Sequence, residues 1–259
     1  DNLNGDDASD GRSAEASSSV AGPVRSIGRG LALARRGDTI VIANNGKPYR
    51  ESIQITGHRL SGFAGTDMTV LGNGAVVTGE RAVPPAAWKK LDNDLWKLVP
   101  QRKGFYLLLR EGERVVEVDC PNDATRLPNL GAGEWCVWRG AIHYRSPELE
   151  DPRETNFSLA ARGVGLTLHN VRGVTVRDLT FQHFRLDGVN AHDLSHNVTL
   201  VNVRTQANGR AGVAVAGTSR LTLEKCTIKD NRVHSVLVSG HGEADLLETT
   251  INQPVTVAD

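Results

Sequence analysis

Three side chains in the last third of the chain have the types that removal of a proton next to a carboxylate requires: Asp187, His192 and Arg210. Removal of a proton next to a carboxylate needs a base, and histidine is the side chain that most often serves as one. The carboxylate itself needs a cation, and an arginine can pair with it through two parallel hydrogen bonds. We therefore predict that these three residues are catalytic, in a reaction that uses no metal ion and no cofactor.

Four more polar residues accompany these three and extend the candidate site. Arginine suits an acidic ligand, whereas asparagine and histidine suit a ligand that is rich in hydroxyl groups. Exposed arginines at bends of a chain are also ordinary surface residues, so a purely solvated role is the alternative. The predicted substrate-binding residues are Arg185, Asn190, Arg232 and His234.

The elements that position these residues can be inferred from a repeat in the last hundred residues. Similar apolar-polar-apolar triplets begin at Val174, Val198, Leu221 and Ala244. A period of roughly 20 to 50 residues indicates a solenoid, and the alternation within each copy indicates strands. A short strand cannot bury its apolar face alone, so successive copies must stack on one another. We predict an all-β fold, a parallel β-helix.

Stacking brings outward-pointing residues of successive copies into columns. Asn190 and His192 should point outward over a floor of small residues, which leaves room for a ligand. We assign Gly165 and Thr167 as their equivalents in the preceding copy, and Ala214 and Ala216 in the following copy.

Two further columns follow from the same alignment. Asp187 and His234 should share one column two copies apart, with Ala211 between them. Asn208 and Asn231 should occupy another, where stacked amides can bond to each other and to the backbone. We predict that this second pair is structural.

The beginning of the chain is predicted to form a tail, followed by a helix that covers one end of the solenoid. Residues 1 to 22 are rich in Asp, Ser, Ala and Gly, and we expect a flexible tail. From Pro23 to Arg36 the apolar residues fall at helical spacing, with Ser26 near the start and Gly37 as a stop. A helix there would cover the open end of the solenoid. Cap helix and first strands together form the predicted segment 23–83.

Residues 84 to 160 break the repeat and contain all four tryptophans. Two hairpins are predicted, one turning at Glu111-Gly112 and the other at Arg139-Gly140. We expect an inserted antiparallel β subdomain, with the remaining β-helix over residues 161–259. The tryptophans favour a core for this subdomain, and the alternative is a surface on which sugar rings stack.

The order of residues near the start resembles a known superfamily. Residues 37–42 read Gly-Asp-Thr-Ile-Val-Ile, residues 46–51 fit Gly-x-x-Tyr-x-Glu, and short strands follow. This opening, and the later repeats, resemble right-handed parallel β-helix proteins of the pectate-lyase-like superfamily. The resemblance covers residues 23 to 79 and 163 to 257 and is specific for fold rather than activity.

The resemblance implies a protein that acts on or binds long carbohydrates. With the residues above, it favours a lyase-like enzyme for an acidic polysaccharide, and the alternatives are a binding or surface protein without catalysis and a glycoside hydrolase. The calcium-binding carboxylates of typical pectate lyases are not visible here, which argues against pectate itself. Hydrolysis usually needs two carboxylates about 5 to 10 Å apart, and no such pair is evident.

Composition excludes several other classes of function. The chain has 259 residues, with 30 basic and 30 acidic side chains and no long basic run, which argues against nucleic-acid binding. No apolar stretch approaches the roughly 20 residues of a membrane span. Asp1 is the first residue, and we expect a secreted or periplasmic protein whose signal has been removed. Cys120 and Cys136 could pair after export, and the oligomeric state is left open.

Overall fold

A computed structural model describes residues 1–18, 20–63, 65–148 and 150–258 of the chain. The structure consists of two compact units. One unit is formed by Asp1–Gly79 together with Arg162–Asp259, and the other by Glu80–Ala161, which the sequence predicted as residues 84 to 160. None of the helices in the described residues is long and apolar enough to span a membrane.

The described residues form one α-helix, two short 3-10 helices and twenty-four strands. The helices are α1 (Ile27–Leu33) and the 3-10 turns His58–Leu60 and Pro85–Ala87. The strands are β1 (Thr39–Val41), β2 (Ile53–Thr56), β3 (Met68–Thr78), β4 (Glu80–Ala82), β5 (Trp88–Lys90), β6 (Leu95–Leu98), β7 (Leu108–Arg110), β8 (Glu113–Arg114), β9 (Val116–Glu117), β10 (Glu134–Trp138), β11 (Ala141–Arg145), β12 (Phe157–Ala160), β13 (Leu166–His169), β14 (Arg172–Gln182), β15 (Asp187–His192), β16 (His196–Val201), β17 (Arg204–Gln206), β18 (Ala211–Val215), β19 (Arg220–Glu224), β20 (Thr227–Lys229), β21 (His234–Ser239), β22 (Glu243–Leu247), β23 (Thr250–Ile251) and β24 (Thr256–Ala258).

The first unit is a parallel β-helix with three walls. The long strands β3 and β14 each bend in the middle and contribute to two walls. The bend in β14 falls at Asp178, whose φ of 55° is left-handed. The first wall continues β14 through β16, β19 and β22, and the second through β17, β20 and β23. The third wall contains β2, β13, β15, β18, β21 and β24 in that order.

The stacking predicted from the repeat is confirmed residue by residue. Val174 pairs with Val198, Val198 with Leu221, and Leu221 with Ala244. The side chains of the first three are almost completely buried in one continuous apolar core. Each copy therefore buries its inward face against the copies above and below it.

The cap helix forms, although it is shorter than the predicted segment. Ser26 Oγ accepts a hydrogen bond from the Arg29 amide, and Ile27 and Leu31 are buried. The Glu51 carboxylate accepts hydrogen bonds of 3.0 Å from the amides of Ile27 and Gly28. The glutamate of the Gly-x-x-Tyr-x-Glu motif therefore satisfies amides at the start of α1, which have no partner within the helix.

The segment before α1 is folded into turns and contains no helix or strand among residues 1–18 and 20–22. The amino terminus of Asp1 donates to the carbonyl of Val24 at 2.7 Å, and Asp7 Oδ1 accepts from the amides of Arg25 and Ser26. These contacts join the segment to the cap helix. Its predicted flexibility stays a prediction.

The second unit is an antiparallel β structure with both predicted hairpins. β7 and β8 turn at Glu111-Gly112, and β10 and β11 turn at Arg139-Gly140. All four turn residues have left-handed φ values, as two-residue hairpin turns of the I′ type require. β9 pairs in parallel with β10 instead of continuing the first hairpin.

Three of the four tryptophans form the core of this unit. Trp88, Trp96 and Trp135 are at most 4% exposed, and Trp88 packs on the rings of Tyr144 and Phe157. The core interpretation is therefore right for these three. Trp138 is half-buried, and the Arg139 guanidinium lies 4.4 Å from its ring centre.

Candidate functional site

The candidate residues lie on strands β15 and β21 of the third wall and in the turns that precede its strands. Val189 and Ala191 are buried in the core, so Asn190 and His192 point to the outer face, as predicted. A Cβ atom on Gly188 would lie 2.8 Å from a backbone oxygen and 3.0 Å from Thr205 Cβ. Gly188 therefore also faces inward. Because Gly188 and Val189 both face inward, the alternation is interrupted, and Asp187 lies on the outer side beside Asn190.

Asp187 is the centre of a charged hydrogen-bond network and is 0% exposed. Its carboxylate accepts from Arg210 Nε at 2.8 Å and from Arg210 Nη2 at 2.5 Å. Asn190 Nδ2 adds a third hydrogen bond of 2.8 Å. These hydrogen bonds with Asp187 raise the pKa of the Arg210 guanidinium above its usual value, although partial burial opposes the charge.

This network brings together three of the seven predicted site residues. A carboxylate that accepts three hydrogen bonds is well suited to hold its donors in place, which is a positioning role. The catalytic role of Asp187 stays a prediction. Arg210 retains a partly open surface, because 31% of its side chain is exposed.

The remaining predicted binding residues lie at the edges of the same wall. The predicted column is confirmed, since Asp187 pairs with Ala211 and Ala211 with His234. His234 Nδ1 lies 3.0 Å from Thr256 Oγ1 of the next strand. Arg185 is half-buried and Arg232 exposed, each in the turn before a third-wall strand. Their part in binding stays a prediction.

The alignment predicted for the preceding strand is wrong by two residues. Asn190 pairs with Thr167 and His192 with His169, not with Gly165 and Thr167. A Cβ atom on Gly165 would lie 2.5 Å from a backbone oxygen and 2.9 Å from a core side-chain carbon, so Gly165 faces inward. The following strand was aligned correctly, since Asn190 pairs with Ala214 and the Ala216 amide donates to the Ala191 carbonyl.

The corrected register places two histidines and a carboxylate together. The rings of His169 and His192 lie 4.8 Å apart between centres, at an angle of 36°. Asp193 Oδ2 lies 2.7 Å from His169 Nε2 and 3.2 Å from His192 Nδ1. Neither His169 nor Asp193 was predicted as a site residue from the sequence, although the spacing of Leu166 and Leu168 could have set the register.

The asparagine column is confirmed as a buried ladder. Asn208 Nδ2 donates to Asn231 Oδ1 at 2.9 Å, and the backbone N–H of Asn208 donates to the same oxygen at 3.1 Å. Asn208 Oδ1 accepts from the Phe184 amide, and Asn231 Nδ2 donates to the Thr205 carbonyl. Both side chains satisfy backbone groups at the corner that leads into the third wall.

A protein-family model described as a right-handed β-helix region matches residues 142–252. The chain is a right-handed parallel β-helix protein. The resemblance to the pectate-lyase-like superfamily is thereby confirmed at the level of the fold. No curated protein matches this β-helix in sequence.

Two solved structures are similar to this β-helix. One, described as a glycoside hydrolase, has a TM-score of 0.55 and 12% identity, and the match covers 85% of this chain and 65% of that one. The other is a complex of XylC with xylose, with a TM-score of 0.48, 11% identity, and coverage of 91% of this chain and 60% of that one. The chain thus spans less than two thirds of the length of either. At 12% identity the likeness to the first of these structures establishes the fold alone.

Proposed function

We propose that this β-helix is a carbohydrate-active protein that takes an acidic polysaccharide on the outer face of its third wall. The observation that carries the proposal is the orientation of Arg210 by the buried carboxylate of Asp187. A guanidinium has five N–H donors, and the contacts with Asp187 use two of them. The others can pair with a uronate carboxylate at little cost in side-chain entropy, because the arginine is already held.

The chemistry that fits these groups is lyase-like elimination at a uronate. Arg210 would neutralise the uronate carboxylate, which makes the neighbouring C–H more acidic. His192 Nδ1 lies beside Asp193, and a proton donated there leaves Nε2 as the basic atom. Nε2 would take the proton, a carbon–carbon double bond would form, and the glycosidic C–O bond to the leaving sugar would break, with the departing oxygen taking a proton from water. Arg185, Asn190, Arg232 and His234 would contact flanking sugars.

One observation favours binding without cleavage as a second candidate. The Asp187 carboxylate accepts three hydrogen bonds and lies out of solvent, so it is poorly placed to exchange protons with a substrate. Glycoside hydrolysis is less favoured for the same reason, since it needs two working carboxylates. Asp178, another acidic residue of this unit, accepts a hydrogen bond of 2.6 Å from Asn202.

A polysaccharide is too large to cross a membrane unaided, so the proposed ligand agrees with a secreted or periplasmic location. The test of function is incubation with a panel of uronate-containing polysaccharides. Ultraviolet absorbance reports the unsaturated product of elimination, and reducing ends report cleavage of any kind. Arg220→Ala and His241→Ala are matched controls, because both residues are exposed and neither is a predicted site residue.

Elimination that is lost in Arg210→Ala and His192→Ala but kept in the two controls would support the lyase-like mechanism. Binding of a uronate polymer without product, weakened in Arg210→Ala, would support the second candidate. Reducing ends without absorbance would indicate hydrolysis. If no acidic polysaccharide is bound or cleaved, the proposal is wrong.

A further inference from the structure

Two histidines and one aspartate meet at the end of β15, outside the Asp187–Arg210 network. His169 ends β13, and His192 ends the neighbouring strand β15 in the same column. Asp193 follows His192 directly and has a left-handed φ of 64°. One ligand atom from each of the three side chains can be chosen so that all lie within 4.8 Å of one another.

The turn that presents Asp193 is held by the next copy of the solenoid. The Asp193 carbonyl accepts hydrogen bonds of 3.0 Å from the Thr218 amide, 3.1 Å from Thr218 Oγ1 and 3.2 Å from Ser219 Oγ. A Cβ atom on Gly217 would lie 3.0 Å from backbone atoms of Asp193, so only glycine allows this close approach. The carboxylate is therefore placed by a fixed backbone and not by a free loop.

We infer that His169, His192 and Asp193 form a binding site for a divalent transition-metal ion of the Zn²⁺ class. Imidazole nitrogen with one carboxylate oxygen is a donor set that suits zinc, copper, nickel and iron, whereas calcium and magnesium prefer oxygen ligands. Zinc–nitrogen and zinc–oxygen bonds of about 2.0 to 2.2 Å put neighbouring tetrahedral ligands about 3.3 Å apart. The two separations from Asp193 Oδ2 are 2.7 and 3.2 Å, and ligand atoms of the three side chains all lie within 4.8 Å of one another, so rotation of these partly exposed side chains would bring them to this spacing.

The site has room for a further ligand beyond the three side chains. The side chains of His169, His192 and Asp193 are 42%, 39% and 59% exposed. Three protein ligands and an open position are typical of zinc sites that bind water or substrate, whereas structural sites are closed by four. An anionic group such as a carboxylate could complete the coordination.

This inference does not depend on the proposed function. A metal bound through Nδ1 of His192 would leave Nε2 protonated, so His192 could not be the base while the ion is present. The ion would instead add positive charge to the same outer face. Metal binding is therefore measured directly, without reference to any activity.

The experiment is a calorimetric titration of the full chain with ZnCl₂ after treatment with a chelator. We expect one ion per chain, and binding at least about 10-fold weaker in His169→Ala, His192→Ala and Asp193→Asn. His241→Ala is the matched control, since it removes an exposed histidine from the same unit and should leave the affinity unchanged. Circular dichroism verifies that each variant is folded, which is expected because the three side chains are partly exposed.

Two further measurements identify the ligands. Electron paramagnetic resonance of the Cu²⁺ form should report coupling to two nitrogens in the native chain and to one in either histidine variant. Millimolar Ca²⁺ should not displace Zn²⁺, because the donor set favours nitrogen-binding ions. Failure of the native chain to bind Zn²⁺, unchanged binding in the three variants, or displacement by Ca²⁺ would each overturn the inference.

Discussion

The carboxylate of Asp187, at the start of β15, and the guanidinium of Arg210, just before β18, form a two-point ion pair with N–O distances of 2.8 and 2.5 Å. Asp187 is 0% exposed, whereas 31% of the Arg210 side chain is exposed. The pair therefore connects a covered carboxylate on the outer side of the third wall to a guanidinium that reaches solvent. Because a buried charge is costly without a partner, each member depends on the other.

Removal of one member of this pair should reduce the free energy of unfolding. We expect a loss of about 2 to 4 kcal/mol for Arg210→Ala, which leaves the Asp187 carboxylate buried without its cation. Asp187→Asn should cost less, because the amide keeps the shape and the uncovered guanidinium can reach solvent. Chemical denaturation followed by far-ultraviolet circular dichroism measures both values.

An exposed pair in the same solenoid provides the control for that experiment. Arg220 Nη2 lies 3.0 Å from Glu243 Oε1 on the next strand, with side chains 65% and 56% exposed. Arg220→Ala should cost less than about 1 kcal/mol, because solvent screens such a pair. Equal losses at Arg210 and Arg220 would contradict the importance assigned to the Asp187 pair.

The asparagine ladder should contribute to stability by a different mechanism. Asn208→Ala removes the acceptor of the Phe184 amide and the donor to Asn231, both buried. We expect a loss of about 2 to 3 kcal/mol, since a buried group without its hydrogen bond keeps its desolvation cost. Gln206→Ala is the control, because its 3.0 Å bond to Gln182 joins two half-buried side chains. A loss no greater than that of the control would show that the ladder is dispensable.

The sequence was sufficient to predict the solenoid, because its core repeats at a nearly constant period. Val174, Val198 and Leu221 were placed in one column by their spacing alone, and they pair as predicted. The hairpin turns of the second unit were equally predictable, since Gly112 and Gly140 each supply a residue that adopts a left-handed φ without steric cost.

The site was less predictable, because it depends on register at a corner. Gly188 and Val189 both face inward and break the simple alternation. The pairing of His169 with His192 follows only once Leu166 is aligned with Val189. The burial of Asp187 on an outward-facing position was also invisible in the sequence, because alternation says nothing about the side chains that cover an outer face.

The three cysteines should differ sharply in reactivity in the reduced, native protein. Burial, with Cys120 nearby, raises the pKa of the Cys136 thiol to about 12, and burial also raises the pKa of Cys226. Cys120 is partly exposed. We expect one thiol to react quickly with a disulfide reagent at neutral pH and two to react only after denaturation. Cys120→Ser should remove the fast phase, and a fast phase that remains would contradict the assignment.

The stability of the second unit should depend on pH through His143, which is 3% exposed and whose Nδ1 has no hydrogen-bond partner among the described residues. Burial, aided by the nearby charge of Lys97, lowers its pKa, although a hydrogen bond to the backbone of Ala141 opposes the shift. The unfolded chain takes up this proton below about pH 6.5, while the folded chain resists it. The free energy of unfolding is therefore free of this effect of His143 above a pH of about 6.5. It decreases as the pH falls below that value, by at most about 1.4 kcal/mol per pH unit.

Tryptophan fluorescence can follow this unit selectively, because all four tryptophans lie in it. His143→Phe should remove the titrating group while keeping a ring against Trp138, whose ring centre lies 5.5 Å from that of His143. We expect the difference in unfolding free energy between native and variant chains to change between pH 7 and 5, with the native chain losing more. The same difference for His241→Ala should be constant, since that histidine is exposed and lies in the β-helix. If the difference in unfolding free energy between the native chain and His143→Phe does not vary with pH, His143 takes up its proton as readily in the folded chain as in the unfolded one, and the prediction is wrong.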